Sequence, residues 1–114
     1  MDSKEVAKKY FDLSNDSNFS EIAKLFTDTT VYTSQNTGEY IGADDIITMQ
    51  KAFHGKFIKL NWTVNSINEI NRSVYLFDYS FKGVKKDGDE MTSNGLEYIT
   101  VKNKKIERVE IINK

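Results

Sequence analysis

A chain of 114 residues has room for one domain and not for two. Its hydrophobic fraction of 39%, with seven Phe, six Tyr and one Trp, is too aromatic for a disordered chain, so a packed core is expected. The formal net charge is −1 with both signs interspersed, which argues against a face that neutralises phosphates and so against nucleic acid as a partner.

Asp2-x-x-Glu5 has capping-box spacing, and behind it Val6, Tyr10 and Leu13 recur at i, i+4 and i+7, which predicts a helix over residues 3–14. Asn15-Asp16-Ser17 reads as a turn. Asn18-x-x-Glu21 repeats the cap signal ahead of Ile22, Leu25 and Phe26, predicting a second, shorter helix. The β-branched and aromatic run from Thr29 to Ser34 favours a strand, which Asn36-Thr37-Gly38 turns back into a short strand from Glu39 to Ile41. Asp44 and Asp45 suit a helix N-terminus, and Ile46, Met49, Phe53 and Phe57 follow at helical spacing, with Gly55 marking the expected end of the helix.

The remainder reads as strand. Ile58, Leu60, Trp62 and Val64 alternate with polar residues, as do Tyr75, Phe77, Tyr79 and Phe81 in the run from Ser73 to Val84. Asp87-Gly88 predicts a type I′ hairpin, and Asn103-Lys104 a last tight turn before Ile106 to Ile112.

The chain has no cysteine, so a disulfide framework, a thiol nucleophile and a thiolate metal site are all excluded. No apolar run reaches the ~18 residues of a membrane span, and Met1 to Lys9 is polar and charged. The expectation is a cytoplasmic domain without a signal peptide or membrane partner. Asp44, Asp45 and Glu39 lack a histidine at ligand spacing, and helix N-terminal acids need no metal, so neither a metal nor another cofactor is expected.

The order of these elements, with Val6-Ala7-Lys8-Lys9-Tyr10 in the first helix and Leu25-Phe26-Thr27-Asp28 leading into Thr30-Val31-Tyr32, resembles the SnoaL-like branch of the nuclear transport factor 2-like superfamily. Tyr40-Ile41-Gly42 before the third helix and Lys104-Lys105-Ile106 before the last strand extend the resemblance over nearly the whole chain. It implies an α+β cone in which three N-terminal helices pack into the concave face of a strongly curved antiparallel sheet. It also implies a cavity for a small apolar ligand. Carried onto this sequence, the cavity wall would include Phe26, Val31, Met49 and Phe53, then Tyr75, Phe77, Tyr79 and Phe81 from the sheet, with Val109 and Ile111 from the last strand.

Glu97 shares a strand face with Ile99 and Val101, and a carboxyl facing an apolar pocket is expected to stay protonated near neutral pH. The similar ketosteroid isomerases use a tyrosine and a protonated aspartic acid as an oxyanion hole and a second aspartate as general base. By that resemblance Tyr10 and Glu97 take the two donor positions and the base position falls on Thr33, which cannot abstract a proton at neutral pH. His54, the only histidine, is expected at the surface or as a helix C-cap.

Two functional readings stay open on sequence. One is a pocket for an apolar carbonyl compound, with isomerase, cyclase or dehydratase chemistry as its enzymatic version. The other is a non-enzymatic interaction or assembly module whose aromatics fill the cone. Val74, Leu76, Leu96, Tyr98 and Ile112 would project from the convex face, where the resemblance implies a two-fold homodimer.

Overall fold

The computed structural model describes residues 1–114. Helix α1 spans Ser3–Asn15 and α2 Phe19–Leu25. Both begin at the side-chain caps expected of them. The Asp2 carboxylate accepts from the Glu5 N–H at 2.8 Å while the Glu5 carboxylate accepts from the Asp2 N–H, and Asn18 Oδ1 accepts from the Glu21 N–H. A short hairpin, β1 (Val31–Ser34) and β2 (Gly38–Ile41), precedes helix α3 (Ala43–His54). Four long strands complete the chain: β3 (Phe57–Glu69), β4 (Val74–Lys85), β5 (Glu90–Lys102) and β6 (Lys105–Asn113).

The six strands form one sheet in the order β2-β1-β6-β5-β4-β3. All neighbours are antiparallel except β1 and β6, which run parallel, so the α+β cone expected from sequence is built on a mixed sheet. Register breaks at Phe57/Lys59 and Val64/Ser66 in β3 and at Thr100/Val101 between β5 and β6 supply the local twist that bends such a sheet. The helices close its concave side.

The inner face of β4 carries Tyr75, Phe77, Tyr79 and Phe81, all buried, in the alternation read from sequence. Phe11 of α1 stacks on Phe77 at 4.6 Å between ring centroids, and Val6, Ala7 and Ile22 are fully buried beside them in the core. Two clamps tie the helical half to the sheet. The Asn15 amide bonds both backbone groups of Trp62 in β3, at 2.9 and 2.6 Å. Thr30, fully buried, donates to the Ile106 carbonyl at 2.7 Å and so ties the entry of β1 to β6.

Two local expectations are corrected. Ile58 is 65% exposed, because the register break after Phe57 puts Phe57 inside in its place. The Asp87-Gly88 turn is not type I′. Only Gly88 has positive φ, and the Gly88 N–H bonds the Lys85 carbonyl while the Lys85 N–H bonds that of Asp89, a three-residue loop. The turn with positive φ at both central residues is Asn103-Lys104, at 53° and 63°.

Candidate functional site

Between the helices and the open end of the sheet lies a cavity of about 250 Å³. Helix α1 contributes Tyr10, Phe11 and, one turn beyond Tyr10, Ser14. Helix α3 contributes Met49, Gln50, Phe53 and His54. From the sheet come Tyr32, Trp62, Tyr79, Phe81, Glu97 and Ile111, while Asn36, Thr37, Met91, Ser93 and Asn113 add a more polar portion of the wall. Tyr79 pairs across the sheet with Gly95, and a Cβ there would stand 2.5 Å from the Tyr79 hydroxyl. Glycine at 95 is thus what lets this phenol lie across β5.

Glu97 is 3% exposed, and its Oε2 is buried without any hydrogen-bond partner. Burial in the apolar wall raises its pKa from the ordinary 4.5 to about 8, so the carboxyl is mainly neutral at pH 7. Gln50 Nε2 donates to the Tyr10 hydroxyl at 2.8 Å, and the Gln50 Oε1 is left buried and unpartnered. Ser14, one turn further along α1, is a second hydrogen-bonding neighbour of the same hydroxyl, so Tyr10 faces the cavity from within a small polar network. Burial, with Glu97 as the next cause, holds the Tyr10 and Tyr32 phenols well above their usual pKa and pushes Tyr79 to about 12. The wall is therefore uncharged at neutral pH, with O–H groups set among aromatic rings. Such a wall can donate hydrogen bonds to an acceptor oxygen of a neutral ligand, and these bonds strengthen where water is excluded.

His54 is partly buried, and Ser17 Oγ is 2.8 Å from its Nδ1. Its ring lies 4.8 Å from that of Phe19 and 5.3 Å from that of Trp62. Burial lowers its pKa from 6.5 to about 4, so the imidazole is neutral. The expected surface or C-cap role is corrected. His54 is the last helical residue, Gly55 is the cap, and the ring belongs to the cavity wall.

Of the wall expected from sequence, the structure brings together Tyr10, Met49, Phe53, Tyr79, Phe81, Glu97 and Ile111. Phe26, Tyr75, Phe77 and Val109 are buried in the core away from the cavity, where α1 and α2 already fill the narrower part of the cone. Val31 and Thr33 are displaced by one residue. Tyr32 pairs with Val109 on the inner face, so Val31 and Thr33 fall on the opposite one, and Thr33 does not line the cavity. Ser14, Gln50 and Trp62 complete the wall beyond the residues expected from sequence, and helical spacing from Tyr10 to Ser14 and from Ile46 to Gln50 is the signal that points to two of them.

A curved sheet closed by three helices over a mostly apolar cavity defines an α+β cone. The chain belongs to the SnoaL-like domain family, whose model matches residues 7–109. No curated protein matches the chain in sequence. An uncharacterized cystatin-fold protein from Novosphingobium aromaticivorans superposes with a TM-score of 0.87 at 14% identity, covering 99% of each chain. A protein designated a SnoaL-like polyketide cyclase, from Shewanella putrefaciens, superposes with a TM-score of 0.83 at 12% identity over 97% of this chain and 79% of its own. TerC, co-crystallized with polyporic acid, gives 0.84 at 12% identity over 98% and 91%. At these identities the likeness is one of fold. No helix is long and apolar enough to cross a membrane.

Proposed function

We propose that this domain binds a small, neutral, largely apolar molecule inside the cone, with a carbonyl or phenol oxygen held by Tyr10 and Glu97. The observation that carries this reading is the Glu97 carboxyl, buried in the cavity wall with an oxygen that no protein group satisfies. An unpartnered buried polar atom costs roughly 1–3 kcal/mol, so its retention at a cavity points to a ligand that supplies the partner. The volume of about 250 Å³ suits a molecule of one or two rings. The alternative, an interaction module with a cone filled by its own side chains, receives no support from a cavity of that size. Thr33, away from the cavity, lends no support to base catalysis at that position.

Two further parts of the proposal concern setting. Leu76 pairs with Tyr98 and Leu96 with Ile112 across the outer face of the sheet, and this partly exposed apolar patch fits a second copy of the chain in a two-fold dimer. A cytoplasmic location accords with the absence of cysteine.

Isothermal titration with acetophenone at pH 6.5 tests the pocket. Binding is expected to weaken roughly tenfold in Glu97→Leu, which has no donor, and to survive in Glu97→Gln, which keeps one. Equal affinity in Glu97→Leu and the unaltered protein, or no binding to the latter, would remove the proposal.

A further inference from the structure

His54 and Glu97 sit at different heights in the cavity. The His54 ring packs on Trp62, Trp62 pairs across the sheet with Phe81, and Glu97 pairs with Phe77. Phe77 and Phe81 are four residues apart on β4, on the order of 13 Å at about 3.3 Å per residue. That spacing along the strand is comparable to the length of one aromatic ring with a hydrogen-bonded group at each end.

The imidazole is fixed in place by one hydrogen bond and three aromatic neighbours. Ser17 Oγ lies 2.8 Å from its Nδ1, from outside the cavity, and Ser17 is itself fixed as the left-handed residue that closes α1, its N–H bonding the Ser14 carbonyl and the Asn18 N–H that of Leu13. Phe19, Phe53 and Trp62 surround the ring. With Nδ1 occupied, Nε2 is the nitrogen left for a molecule inside the cavity. A serine hydroxyl can donate to Nδ1 or accept from it, so Nε2 is a donor or an acceptor accordingly. A ligand hydroxyl matches either state. A carboxylate would meet no positive charge, since the ring is neutral at pH 7.

We propose that His54 is a second ligand-binding pole of the cavity and that the ligand is a hydroxyaryl carbonyl compound, with its carbonyl oxygen on Tyr10 and Glu97 and its hydroxyl on Nε2 of His54. This inference rests on the carbonyl site proposed above. Ser17 is a positioning residue that fixes which nitrogen faces the ligand.

Acetophenone and 4-hydroxyacetophenone, titrated by calorimetry into the unaltered protein and His54→Phe, separate the two ideas. The hydroxyl is expected to tighten binding about five- to tenfold in the unaltered protein, and this gain, taken as the ratio of the two affinities within each protein, to vanish in His54→Phe. No gain in the unaltered protein, or a gain that persists in His54→Phe, overturns the second pole. Failure of acetophenone to bind at all sinks the carbonyl site instead. In that case, or if His54→Phe does not fold, phenol added to the unaltered protein decides the pole, because the sole histidine gives unambiguous ¹⁵N signals. A shift of Nε2 larger than that of Nδ1 upholds it, and unmoved signals refute it.

Discussion

Glu97 and His54 depart from their ordinary pKa values in opposite directions, and for the same reason, burial of a group that would rather be charged in water. Glu97 is raised, so its contribution to stability is complete below about 4.5 and is lost as pH rises toward about 8, at up to about 1.4 kcal/mol per pH unit. His54 is lowered, so its contribution is complete above about 6.5 and is lost as pH falls toward about 4. The two slopes oppose each other between 4.5 and 6.5. Urea unfolding from pH 4 to 9 is therefore expected to show a plateau there and a decline from 6.5 to 8 that Glu97→Gln abolishes; identical profiles for the two proteins would refute the assignment. At the neighbouring position, Gly95→Ala places a Cβ against the Tyr79 ring and hydroxyl. A loss of roughly 1–3 kcal/mol in the same assay is expected, and an unchanged midpoint would show that Tyr79 relaxes freely.

Among the elements, the helices were legible because their signals are local. A cap and an apolar stripe at 3.6-residue spacing are complete within a dozen residues, and Asp2, Glu5 and Asn18 cap as their spacing implies. What escaped was set by neighbours distant in sequence. The register breaks in β3 send Ile58 outward, and only the pairing with β4 reveals them. The face of β1 is decided by Thr30, whose hydroxyl reaches Ile106 and so turns Tyr32 rather than Val31 and Thr33 toward the cavity. His54 looked like a helix end, and its role depends on Ser17 and Trp62 from two other elements. The Asn15 clamp is likewise invisible in sequence, yet it sets how α1 meets the wall carrying Trp62. Asn15→Ala leaves both Trp62 backbone groups without this partner, and a destabilisation on the order of 1–3 kcal/mol is expected, with a red shift of the single tryptophan's emission as water reaches it. Unchanged stability and emission would show that the clamp is dispensable.

At the scale of the whole molecule, the sheet separates two surfaces of different character. The concave face holds the cavity, and the convex face carries the apolar pairs Leu76–Tyr98 and Leu96–Ile112 near the Lys114–Asp78 ion pair. If the convex face joins two copies, Leu76→Arg halves the mass measured by light scattering to the 13.1 kDa of one chain and leaves acetophenone binding unaltered. A single-chain mass before the substitution would exclude that dimer. The proposed donor role of Glu97 depends on a carboxyl that stays protonated at neutral pH, and this is open to direct observation. A ¹³C titration of the glutamate side chains, with Glu97 assigned by its loss in Glu97→Gln, should show one carboxyl titrating near pH 8 and moving higher when acetophenone is added. A Glu97 carboxyl that titrates near 4.5 in the free protein would contradict the account, because the cavity would then present a charged acceptor and not a donor.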